Sequence, residues 1–307
     1  MYSMRVVGLG ALNIDNIYQV ERILDDGEAV VNESISSPGG SAANTIYGLA
    51  RLGVNTGFAG VIGDDAEGKI LLRDFQKIGV DTSQIRVKRR ARTGSVVCLS
   101  DSLGKRSLYV LPGANNLLTM DDLDLSYINR AKMLHISSFA DDRQFKISLE
   151  LTDRLDLSVK VSFAPGALYA AKGLKALAPI LARTYVLFIN QNEMQQLTGK
   201  DFKTGAEVCL KLGCEIVVVT LGKGASFKTI MATSYIRNSQ REHVIEPVNK
   251  EIISDRDTIG AGDAFATGFL YGLLNGKGLE ECGQLGDIAA QFSTTKMGAS
   301  EGLTTLN

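Results

Sequence analysis

The chain has 307 residues, 45% of them hydrophobic and 22% charged, and carries a net charge of −1. That balance predicts a soluble globule with a sizeable core, and it offers no electrostatic footprint for nucleic acid or an anionic membrane. Four scattered cysteines (Cys98, Cys209, Cys214, Cys282) form no C-x-x-C pair and have only His135 and His243 as companions, which argues against zinc and for reduced, buried thiols in a cytoplasmic protein.

A strand begins within a few residues of Met1 with no apolar leader before it, and no later stretch is long and charge-free enough to span a bilayer. Strands are predicted at Arg5–Leu9, Gly57–Ile62, Met133–Ile136, Val159–Phe163, Val186–Ile189 and Ile216–Thr220. Between them helices are predicted at Ser41–Leu52, Glu67–Lys77, Arg143–Leu155, Ala170–Ala182 and Thr204–Leu212, with two more toward the C-terminus. This alternation predicts an α/β fold with a doubly wound, mostly parallel sheet. Two regions break it. Ile17–Val20 and Val30–Ser36 alternate with no helix between them, and Thr93–Ser100 and Lys105–Pro112 flank Asp101-Ser102-Leu103-Gly104 as an antiparallel hairpin. These four strands predict a small second sheet, roughly 16–37 and 93–112, inserted in one domain spanning 1–307. The basic run Lys88-Arg89-Arg90-Ala91-Arg92 reads as a solvated loop.

The most specific string is Asp257-Thr258-Ile259-Gly260-Ala261-Gly262-Asp263, which opens an apolar helix from Ala264 to Leu274. Its glycines expose backbone N–H groups where a helix begins, a place suited to an anion. Asp263 would compete with a phosphate there, unless it faces a substrate hydroxyl and takes its proton as a phosphoryl group arrives. Upstream, Pro38-Gly39-Gly40-Ser41-Ala42-Ala43-Asn44 leads into a second helix whose apolar stripe ends at Gly53. Gly39 and Gly40 permit close backbone approach, and Ser41 is positioned to cap.

In this order and separation the two strings resemble the paired signatures of the ribokinase-like (PfkB) carbohydrate kinases. The resemblance spans essentially the whole chain. It implies that Asp263 is the catalytic base, with Gly260, Ala261 and Gly262 beside the transferred phosphoryl. It implies that Gly39, Gly40 and Asn44 hold the acceptor, and that the small sheet is a lid over it and a homodimer surface.

Weaker motifs fit the same family. Gly8-Leu9-Gly10-Ala11-Leu12-Asn13 lacks the third glycine of a dinucleotide fingerprint; Asn13 and Asp15, expected at the end of the first strand, resemble the family's acceptor contacts. Asn190-Gln191-Asn192-Glu193 resembles its N-x-x-E motif, which implies nucleotide contact at Asn190 and Mg²⁺ near Glu193 through water. The same four residues also satisfy a helix cap. Thr220-Leu221-Gly222-Lys223-Gly224 resembles the loop beneath ATP, with one residue between glycines where the family usually has two, so Thr220, Gly222 and Gly224 are carried over as nucleotide contacts. Lys296-Met297-Gly298-Ala299 resembles the turn bordering adenine and, in many members, a monovalent cation (K⁺); Gly298 and Ala299 are carried over. Pro112-Gly113-Ala114-Asn115 matches a stretch common in ribokinase-type members. Ala164 replaces an Asp found in many sugar kinases.

The sequence therefore predicts an ATP-dependent kinase acting on a primary hydroxyl of a small sugar. A nucleoside acceptor is the alternative, with Phe139 or Tyr169 as a stacking platform for the base. A nucleotide-binding oxidoreductase and a catalytically silent sugar-binding regulator are the more remote readings.

Overall fold

The structure, a computed structural model, describes residues 5–101, 105–227, 230–247 and 260–294. In chain order its strands are β1 (Val6–Leu9), β2 (Asn13–Val20), β3 (Val31–Gly39), β4 (Thr56–Gly63), β5 (Asp81–Lys88), β6 (Gly94–Asp101), β7 (Arg106–Leu111), β8 (Met133–Ser137), β9 (Lys160–Ala164), β10 (Thr184–Asn190), β11 (Ile216–Phe227), β12 (Ile230–Asn238) and β13 (Glu242–Ile245). The helices are α1 (Ser41–Arg51), α2 (Ala66–Lys77), α3 (Leu125–Ile128), α4 (Asp142–Arg154), α5 (Gly166–Ala170), α6 (Gly173–Leu181), α7 (Gln191–Thr198), α8 (Phe202–Lys211), α9 (Ala261–Leu274) and α10 (Leu279–Ser293).

Nine strands form the main sheet in the order β13-β12-β11-β10-β9-β8-β1-β4-β5. From β11 to β5 every pairing is parallel, and β12 and β13 add an antiparallel edge. Parallel strands buried on both faces need continuous apolar runs. β1, β4 and β8 are accordingly buried at every position. Alternation along β1 sends Val7 and Leu9 to one face and Val6 to the other. Helices α4, α6 and α8 cover the first face; α1, α2, α9 and α10 cover the second. The strand order reverses between β1 and β8, which opens a crevice above their C-terminal ends, the usual ligand position in such sheets.

The predicted second sheet is present, in the order β3-β2-β6-β7. Its strands lie within 13–39 and 94–111, so the first pair is slightly longer at the crevice end than expected and the second is one residue shorter at each end; the turn 102–104 lies outside the described residues. β1 passes into β2 with no helix between them, which removes the structural basis for a dinucleotide fingerprint at Gly8–Asn13. The helix expected over Ala170–Ala182 is two helices, because Gly173 adopts a left-handed φ of 77° between α5 and α6. All four cysteines are buried, and none is in a disulfide. Arg89, Arg90 and Arg92 are exposed, as expected of a solvated loop, while Lys88 ends β5 and pairs with Asp122 at 2.7 Å. Among the described residues no helix is long and apolar enough to cross a membrane.

Candidate active site

Gly260, with φ 78°, turns the chain into α9, and its carbonyl accepts the Ala264 N–H at 2.8 Å. Asp257–Ile259 of the same string lie outside the described residues. Among the described residues a Cβ added at Gly262 would meet nothing within 4 Å, and the first N–H groups of a helix have no partner inside the helix itself. Asp263 occupies the first turn. Its Oδ1 accepts the Ser41 hydroxyl at 2.7 Å, and its Oδ2 accepts the Asn44 amide at 2.8 Å. Two threonines fasten the same helices: Thr45 Oγ1 donates to the Asp263 carbonyl at 3.5 Å, and Thr267 Oγ1 donates to the Thr45 carbonyl at 3.4 Å.

Ser41 is therefore not a helix cap. Gly40 holds the N-cap position of α1, at φ 109°, and the Ala42 N–H is taken by Ser137 Oγ at 3.0 Å from the end of β8. Burial pushes the Asp263 carboxyl up to about 6; hydrogen bonds from Asn44 and Ser41 oppose this, and the Glu193 charge adds to it.

Asn13 and Asp15 begin β2 rather than ending β1, which corrects their expected place. Asn13 is paired with Gly39 across β3 and with Gly94 across β6. Its amide oxygen accepts Asn115 Nδ2 at 2.9 Å. Asn115 is buried and committed: it also donates to the carbonyls of Leu12 and Pro112 and accepts the Leu12 N–H. The sequence singled out Pro112–Asn115 only as a stretch shared with ribokinase-type members and missed this anchoring role. A Cβ at Gly94 would overlap both amides. One Asp15 carboxylate oxygen is buried without a hydrogen-bond partner, an arrangement that a ligand hydroxyl would satisfy. Burial first, and then the Asp263 charge, push the Asp15 carboxyl up to about 7. The β2–β3 pairing and the α1–α9 contact thus bring Asn13, Asp15, Gly39, Gly40, Asn44 and Asp263 together.

Asn190 and Thr220 are paired neighbours at the ends of the parallel run, β10 against β11. Asn190 and Glu193 form a capping box on α7, with bonds of 2.8 and 3.1 Å. Burial raises the Glu193 carboxyl above its usual range. Among the described residues no group of three or more His, Cys, Asp or Glu side chains is arranged to hold a metal ion. The strand expected to end at Thr220–Gly224 does not end there: β11 continues to Phe227 through a bulge in which residues 220 to 225 oppose 234 to 232. Gly222 and Gly224 take φ of 64° and 102° there. Gly298 and Ala299 lie outside the described residues. Phe139 and Tyr169, the candidate stacking platform, are core residues 2% and 0% exposed.

A helix N-terminus bearing a carboxylate, set over the switch point of a doubly wound sheet, suits a small-molecule phosphotransferase. Residues 4–306 match the pfkB family carbohydrate kinase profile, and the chain belongs to that family. A protein of Archaeoglobus fulgidus described as an uncharacterized sugar kinase is 37% identical over 259 residues, covering 83% of this chain and 98% of that one. The ATP-dependent ribose-1-phosphate kinase of Halopiger xanaduensis is 28% identical over 298 residues, covering 96% and 94%. The crystal structure of Thermotoga maritima ribokinase superimposes with a TM-score of 0.82 at 25% identity, covering 98% and 96%.

Proposed function

We propose that this carbohydrate kinase transfers the γ-phosphoryl group of ATP to a primary hydroxyl of a small free sugar, as ribokinases do. The observation that carries the reading is the Asp263 carboxylate, held at the open N-terminus of α9 and beside the unsatisfied Asp15 oxygen. The acceptor's hydroxyls would be gripped by Asn13, Asp15, Asn44 and the bare backbone at Gly39 and Gly40. As the acceptor oxygen bonds to phosphorus, its proton passes to Asp263, and the bond from phosphorus to the bridging oxygen breaks with its electron pair leaving on ADP. The N–H groups of Gly260, Ala261 and Gly262 would stabilise charge on the transferred group. A carboxylate is a weak base for an alcohol, so proton transfer comes late and positioning carries much of the rate.

ATP-bound Mg²⁺ neutralises phosphate charge; it keeps several waters and needs few carboxylates, which fits a lone Glu193 acting through water. Asn190, Thr220, Gly222 and Gly224 would flank the nucleotide. The four-stranded sheet would close over the acceptor and exclude water. Its exposed Val31, Leu108, Tyr109 and Leu111 would make it a homodimer surface.

A nucleoside acceptor loses ground because Phe139 and Tyr169 are committed to the core. A second reading, ribose 1-phosphate as acceptor, is favoured by the Halopiger relative and by the exposed Arg89, Arg90 and Arg92, which precede Gly94 beside Asn13. The test is phosphoryl transfer from labelled ATP to ribose, ribose 1-phosphate, fructose, 2-keto-3-deoxygluconate, adenosine, inosine and cytidine. A free sugar is expected to be labelled most efficiently; exclusive labelling of a nucleoside overturns the reading.

A further inference from the structure

The α1 helix begins in an unusual way. Its N-cap is a glycine with no side chain to offer, and the orphan N–H of Ala42 is satisfied from another strand by Ser137 Oγ. Gly10 makes room for that serine, since a Cβ there would overlap Ser137 Oγ. The capping that Ser41 would ordinarily supply is thus done from β8, and the Ser41 hydroxyl is released for another partner. That partner is Asp263 Oδ1, 2.7 Å away.

We propose that Ser41 is a positioning residue of the transfer reaction: its hydroxyl, together with the Asn44 amide, fixes the plane of the Asp263 carboxylate and favours the ionised state needed to accept a proton. The proposal rests on Asp263 being the base. Each carboxylate oxygen has two lone-pair directions, so one bond to each oxygen still leaves a site on either for the acceptor hydroxyl. With one donor removed, the carboxylate can rotate about its last torsion, whose preference is broad and leaves orientation to the partners. The groups that share this space are Asp15 from β2 and Glu193 from the first turn of α7. Both are acidic, so each disfavours a second negative charge on Asp263. Ser41 and Asn44 are the donors that offset them.

The experiment compares Ser41→Ala, Ser41→Thr and Asp263→Asn in steady-state kinetics from pH 5 to pH 9, with thermal melting as a check on folding. Ser41→Ala is expected to lower kcat about tenfold, the scale of one hydrogen bond to a charged group. It should leave acceptor KM within about twofold and move the acidic limb of kcat upward by about half a pH unit or more. Ser41→Thr, which keeps the hydroxyl, should return the limb toward wild type. An Ala variant whose limb does not move, whether or not kcat falls, overturns the role given to Ser41. Asp263→Asn separates the two ideas. If it retains near-wild-type turnover, the base itself is wrong; if it is silent while the Ser41→Ala limb stays in place, only the positioning role is wrong.

Discussion

Gly39 leaves empty the volume into which Asp15 projects: a Cβ at Gly39 would overlap the Asp15 carboxylate. The two residues face each other across the β2–β3 ladder, where Asp15 pairs with Ser37 and Gly39 with Asn13. Gly39→Ala should therefore expel the carboxylate from its pocket and leave the strands paired. The expected result is an acceptor KM raised about tenfold or more, with ATP KM unchanged. An Ala variant with normal acceptor KM would show that Asp15 does not need that position.

Asp15 and Asp263 are held near 7 and 6 in the folded protein, against 3.8 for an ordinary aspartate. Between about pH 4 and about pH 7 the folded state then binds more protons than the unfolded one. The stability that these two carboxyls contribute is full below about pH 4 and is lost as pH rises through that window. Asp15→Asn should remove most of that slope, raising Tm by about 2–4 °C at pH 8 and hardly at all at pH 4. A ligand whose hydroxyls bond to the ionised carboxylate would draw Asp15 back down, so acceptor binding should release protons. Calorimetry in two buffers of different protonation enthalpy measures that release, and a value of zero near pH 7 counts against Asp15 as the grip.

Gly262 separates stability from chemistry. Among the described residues its would-be Cβ meets nothing within 4 Å in the first turn of α9. Gly262→Ala should stabilise the helix by up to about 1 kcal/mol, while narrowing the approach to the N–H groups and lowering kcat by about tenfold or more. Melting curves and turnover on the same preparation decide it. If both properties improve, no phosphoryl group visits that turn.

Asn115 should behave as a structural part of the acceptor grip. Its four hydrogen bonds tie the β1–β2 connection to the turn after β7. Asn115→Ala leaves buried partners unsatisfied and should cost about 3 kcal/mol. Acceptor KM should rise with it, because Asn13 loses its anchor. Denaturant unfolding gives the first number and kinetics the second; a stable variant with normal KM would remove Asn115 from the site.

The α/β units were legible because buried parallel strands leave apolar β-branched runs such as Ile216–Val219, and the small sheet was legible because two such pairs lack a helix between them. The strand β5 was not, since Asp81–Lys88 lies at the sheet edge with only Gln84 and Ile85 buried and so lacks an apolar run. The end of β11 was misplaced for a similar reason: Gly222 and Gly224 signal a loop, and only the partner strand shows that pairing resumes beyond them. In the site, the residues that carry motifs could be named from sequence, but their partners could not. Ser41 reaches Asp263 and Asn115 reaches Asn13 across 222 and 102 residues, and no local pattern encodes such distances. Ser41 looked like a cap because the residue that replaces it, Ser137, belongs to another strand.

The same long span sets an order of events during synthesis. All the groups proposed to hold the acceptor, with their Asn115 anchor, lie within the first 115 residues, whereas the proposed base comes at 263. A ribosome adding about 5–20 residues per second takes about 7–30 seconds to cover the interval. Throughout it the nascent chain has the strands that form the small sheet but no α9 to close against α1. With Asp263 as the base, catalytic competence would be among the last properties this polypeptide acquires, and a chain interrupted before α9 would not consume phosphoryl donor.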